Sequence, residues 1–168
     1  MTAEHQLLRH ILATLAYRTQ KAVRGAPESF AHFGAGNRVR TPQEIVCHMT
    51  SVLGYARARF GGGTFDIALC ASWREELGRF HTTLKELSDL LETGAEPSDV
   101  SLEAILQGPF SDAMTHAGQL ALLRRLAGHP VEPENFIRAH VDPDNVSEDQ
   151  PPPASPGRRD GSRADPLR

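Results

Sequence analysis

Six apolar side chains, Trp73, Leu77, Phe80, Leu84, Leu87 and Leu91, follow one another at steps of 4, 3, 4, 3 and 4 residues. Such steps keep side chains on one stripe of an α-helix, and a stripe this long is a seam that other helices must cover. The reverse side is polar, with Arg74, Glu75, Arg79, Lys85, Glu86 and Asp89, as a solvated face requires. One helix cannot bury its own stripe, so the spacing asks for a bundle. We place this helix at about residues 67 to 91.

Partners for the seam exist on both sides of it. Residues 3 to 24 carry Leu8, Ile11, Leu12, Leu15, Thr19, Ala22 and Val23 at helical spacing, until Gly25-Ala26-Pro27 stops them. The loop to Arg40 holds Phe30 and Phe33, which are expected to fold over the core. Thr41-Pro42-Gln43-Glu44 is a capping box with proline at the first helical position, so a helix begins there. Its apolar positions are Ile45, Val46, Met49, Val52, Leu53 and Ala56, and Gly61-Gly-Gly63 ends it. A short helical piece over 99–106 precedes Gly108 and Pro109, which separate it from a last helix capped by Ser111 or Asp112 and running to Ala127. No stretch alternates apolar and polar residues as a half-buried strand would. The expected fold is all-α, a four-helix bundle over residues 1–145 onto which Phe136 and Ile137 pack back. A disordered Pro-rich, charged tail over 146–168 is expected to follow it.

Composition narrows the function classes. With 168 residues and a formal net charge of -3, the chain offers one core and no bulk attraction to nucleic acid or a membrane surface. No apolar run approaches the roughly 20 residues that span a bilayer, and Met1-Thr-Ala-Glu-His5 lacks the features of a signal peptide, so a cytoplasmic location is expected. Cys47 and Cys70 form no CxxC pair and are read as reduced core residues inside helices.

The last helix poses a polar problem. Arg124 and Arg125 mark one side, and the other collects Leu120, Leu122, Leu123 and Leu126 together with Asp112, His116 and Gln119. Burying a carboxylate and an imidazole costs several kcal/mol unless they are paired or coordinate a metal. Asp112 and His116 are one turn apart, near enough for one ion to bridge. His48, three after Ile45 and four before Val52, also leans inward and offers a third ligand. These donors suit zinc and equally nickel, iron or manganese, and Gln119 one turn on can orient a ligand or a water. A buried Asp112–His116 pair tied by Gln119 would satisfy the same groups with no metal. His5, His10, His32, His129 and His140 are read as solvated, His81 as a boundary residue, and Cys47 as pointing about 100° away from His48. Tyr55, Trp73 and Phe80 either fill the core or line a pocket. No phosphate loop or nucleophile elbow appears, and no catalytic residue is assigned.

With its capped helix bearing Glu44-Ile-Val-Cys-His48-Met, its helix led by Trp73 and its Asp112-Ala-Met-Thr-His116-Ala-Gly-Gln119-Leu segment, the chain resembles the DinB/YfiT-like superfamily of metal-dependent proteins over about residues 1 to 140. That resemblance implies a four-helix bundle whose metal is held by one His on the second helix and an H-x-x-x-H pair on the last. His48 and His116 match two positions, and Asp112 stands where the first His of the pair is usual. It further implies a divalent metal, zinc or nickel foremost, and a small-molecule substrate or low-molecular-weight thiol used in S-transfer, with a homodimer as the assembly. The alternative is a non-catalytic bundle that binds a metal or small ligand, or serves a structural role in stress.

Overall fold

The computed structural model describes residues 1–61, 63–65 and 68–154. Three long helices, α1 (Ala3–Val23), α2 (Pro42–Gly61) and α3 (Trp73–Glu92), precede a short α4 (Leu102–Ile105), a π-helical turn (Leu106–Phe110) and α5 (Ser111–Leu126). Among the described residues there is no strand. Each long helix of the first three starts at a reciprocal cap, which satisfies backbone N–H groups that have no intrahelical partner. Thr2 and His5 form one on α1. On α2, Thr41 N–H donates to Glu44 at 2.7 Å and Glu44 N–H to Thr41 Oγ1 at 3.3 Å. On α3, Ser72 N–H donates to Glu75 at 3.0 Å and Glu75 N–H to Ser72 Oγ at 3.2 Å.

The seam does what its spacing asks. Phe80, Leu84, Leu87 and Leu91 are fully buried against Leu12, Leu15, Met49, Leu53, Phe110 and Leu120. α1 and α2 each pack on both α3 and α5, so α5 lies beside α2 along the bundle. Phe30, in a 3-10 turn over Glu28–His32, is buried and meets Trp73 edge-on at 6.4 Å. Phe33 packs partly buried on the same core.

Several expectations need correction. α3 begins at Trp73, where Ser72 caps it, rather than near residue 67, and Cys70 therefore lies in the loop before it; residues 66 and 67 are outside the described residues. Gly108-Pro109 does not break the last helix. The backbone passes through it as a π turn, in which Ser111 N–H reaches the carbonyl of Leu106 and Ser111 Oγ donates to that carbonyl at 2.7 Å. Widening the turn absorbs the missing proline N–H, so neither Ser111 nor Asp112 acts as a cap. On α5, Leu122 and Leu126 are exposed at 55% and 57%, whereas Arg124 is buried. Arg124 turns inward because carbonyls of Ala22, Arg24 and His129 await its guanidinium.

After Gly128 the chain crosses back over the bundle as a strap. Tyr17 Oη donates a short hydrogen bond to Glu134, and Lys21 Nζ donates to the same carboxylate at 2.6 Å. Burial pushes the Glu134 carboxyl up, but these two donors outweigh it and hold it below its ordinary value, while burial beside Glu134 raises the Tyr17 hydroxyl. Phe136 packs edge-on against Tyr17 beneath the Arg18 guanidinium. Ile137, expected to pack back, is 89% exposed. Arg9 pairs with Asp144 at 2.6 Å. His81 Nδ1 meets the Val146 carbonyl at 2.8 Å, and Val146 and Gln150 are buried. The packed chain thus extends to residue 154, past the expected start of the tail at 146; residues 155–168 lie outside the described residues. Among the described residues no helix is long and apolar enough to cross a membrane.

Candidate metal centre

Two neighbouring helices bring the sequence-predicted donors together. His48 lies in the second turn of α2, where Ile45, Met49 and Val46 fix the helix against the core and leave its ring at the edge of the α2–α5 contact. Asp112 and His116 lie one turn apart at the start of α5, immediately after the π turn. His48 Nε2 is 3.2 Å from Asp112 Oδ2, and His116 Nε2 is 3.5 Å from Asp112 Oδ1. The two rings meet edge-on with centroids 4.7 Å apart. One donor atom from each residue lies within 4.8 Å of the others. Ligands about 2.1 Å from a tetrahedral or octahedral ion stand about 3.0 to 3.4 Å apart, a spacing that the 3.2 Å contact of His48 with Asp112 has and the 3.5 Å contact of His116 slightly exceeds.

The second nitrogen of His116 decides what the first one can do. Nδ1 lies 2.7 Å from Gln119 Oε1, and in the tautomer that donates to this oxygen Nε2 presents a lone pair toward Asp112. A lone pair facing a carboxylate oxygen is unfavourable unless a proton or a cation stands between them. His48 is pushed below its ordinary 6.5, first by burial and then by the positive charge of Arg40 and by His116, with Asp112 opposing. It is neutral at pH 7, the form in which imidazole ligates. The donor set therefore fits a divalent ion.

Exposure differs from the sequence reading. The Asp112 side chain is 45% exposed and Gln119 is also exposed, so the cluster is an edge site rather than an interior one. The π turn and Leu120 put the core stripe of α5 on Ala113, Ala117, Leu120 and Leu123, and Asp112 falls beside that stripe. Solvent access leaves further coordination positions open on the outer side. Beside His48 a depression of about 440 Å³ is lined by Arg40, Glu44, Cys47, Ser51 and Leu69. Arg40 and Ser51 carry no periodic or motif signal and escape a reading of the sequence. Cys47, set apart from the site by its angle on the helix, is on this wall, where its Sγ accepts from Arg79 Nη2 at 3.4 Å. It is not among the three donors that cluster. Tyr55 and Trp73 do not line the depression: Tyr55 stacks with Phe65 and under Arg59, and Trp73 packs on Phe30.

The remaining histidines separate by contact. His10, His32, His129 and His140 are exposed. His5, expected in solvent, is buried, with Nε2 2.9 Å from the Ala95 carbonyl and Nδ1 2.8 Å from Thr2 Oγ1. His81 is likewise buried rather than at a boundary.

Comparison with known protein families, with curated proteins and with solved structures finds no match to this chain. The functional reading therefore rests on the geometry of the site.

Proposed function

We propose that this chain is a divalent-metal-binding helical bundle of the DinB/YfiT-like type, in which the metal activates a low-molecular-weight thiol for transfer to a small electrophile. The observation that carries the reading is the convergence of two imidazole nitrogens and one carboxylate, from two neighbouring helices, within 4.8 Å. When bound, a divalent ion supplies Lewis acidity that lowers the pKa of a thiol or water beside it. His48, Asp112 and His116 would hold the ion, with zinc or nickel foremost by the resemblance to the DinB/YfiT-like type, since the donor types suit iron and manganese equally. Gln119, with its Oε1 2.7 Å from Nδ1, orients the His116 ring. Arg40, on the wall beside His48, favours an anionic sulfur or carboxylate near the site.

A second reading has its own observation. Asp112 reaches both histidines at 3.2 and 3.5 Å, so hydrogen bonds among the three would complete the cluster with no ion, in a bundle that serves a non-catalytic role.

Metal analysis of the purified chain separates the two. The first reading expects about one divalent ion per chain, lost in His116→Ala without loss of helicity. A metal-free chain whose melting is unchanged by zinc, nickel or a chelator would sink it. Thiol transfer is read separately, as thiol-dependent release of chloride from chlorodinitrobenzene that stops when the protein is stripped of metal.

A further inference from the structure

We propose that the far end of α5 carries an oxyanion site, built on the guanidinium groups of Arg124 and Arg24, for a small phosphate-type ligand. Arg124 lies in the last turn of α5 and is only 6% exposed. A buried cation is costly unless a carboxylate or a full set of acceptors meets it. Among the described residues Arg124 has no carboxylate partner. Its Nε donates to the His129 carbonyl at 3.0 Å, and its Nη1 to the carbonyls of Ala22 at 3.1 Å and Arg24 at 3.3 Å. The Ala22 and Arg24 carbonyls close the C-terminal end of α1, where the helix dipole favours positive charge. This accounts for three of the five guanidinium N–H groups. The two on Nη2 make no hydrogen bond within the described residues.

Arg124 lines a cavity of about 250 Å³ between α1, α5 and the strap. Arg24 lines it too, and the strap aims its guanidinium without neutralising it: Nη2 donates to the Gln150 carbonyl and Nη1 to that of Pro151 at 3.3 Å. The third cation of the wall, Lys21, is paired with Glu134. Of the lining residues, Lys21, Arg24 and Arg124 are basic and Glu132 is acidic. Positive charge gathers here in a chain whose formal net charge is -3. The two remaining Nη2 N–H groups of Arg124 can donate to one tetrahedral anion, and a partly desolvated site strengthens that contact. Tyr17 and Pro153 complete the wall with apolar surface, which leaves space for a small organic group on the phosphate. His116 and Arg124 are eight residues apart on α5, about 12 Å of helix rise, so this site is separate from the metal centre.

Calorimetric titration of the full chain with inorganic phosphate, at ionic strength held constant with chloride, tests the assignment. Saturable binding of one phosphate per chain is expected, at least tenfold weaker in Arg24→Gln with an unchanged melting temperature, and unaltered in His116→Ala. Arg24 is exposed and, among the described residues, its side chain bonds to strap carbonyls alone, so that variant remains informative if changes at Arg124 unfold the chain. No saturable binding up to about 10 mM phosphate, equal affinity in Arg24→Gln, or loss of binding in His116→Ala would each overturn it.

Discussion

His48 and His116 share one carboxylate yet differ in what holds them: His116 is oriented by Gln119, whereas burial and Arg40 keep His48 neutral. That Asp112 and His116 meet is legible from spacing, because i and i+4 positions on a helix must be neighbours. Their exposure is not, because a half-turn difference in which stripe meets the core moves Asp112 from interior to edge. His81 makes the same point through pH. Burial lowers its pKa from the ordinary 6.5, partly offset by its bond to the Val146 carbonyl. Below 6.5 the unfolded chain takes up a proton that the folded chain resists, so this group removes stability as pH falls through 6.5 and the loss is complete below its folded value. We expect the melting temperature to fall between about pH 7.5 and pH 5, and the fall to be shallower in His81→Gln, which keeps a donor for Val146 without the titration. An unchanged slope in that variant would remove His81 from the account.

Among the elements, helix starts are written more plainly than helix interiors. Thr41 to Glu44 states its cap in four residues, and the structure forms it. Ser72 to Glu75 states the same thing for α3, yet the apolar run before it extends the periodic pattern backward and hides the start. Ser72→Ala should therefore cost about 1 kcal/mol by urea unfolding, the usual worth of an N-cap, with no change in metal content. At Gly108-Pro109 the local rule predicts a break, but α4, the π turn and α5 run on because Ser111 supplies Leu106 with a substitute donor. The leucines of α5 mislead for a related reason: Arg124 has carbonyls to satisfy at the end of α1, and burying it leaves Leu122 and Leu126 outside.

At the scale of the whole molecule, the strap joins what the helices leave open. It brings Glu134 to Tyr17 and Lys21, Asp144 to Arg9, and Val146 to His81. Val146 is 4% exposed, so Val146→Ala should cost about 2 kcal/mol in thermal or urea unfolding. A change within error would mean that the strap adds nothing to the core. The sequence by itself determined the all-helical bundle and the pairing of Asp112 with His116 on one face, since periodicity and capping act within a turn or two of the chain. Only the tertiary structure decided that the strap is packed, that Asp112 stands at an edge and that Arg124 is buried. Those outcomes depend on which carbonyls, carboxylates and apolar faces distant segments present to one another, and no local spacing encodes that.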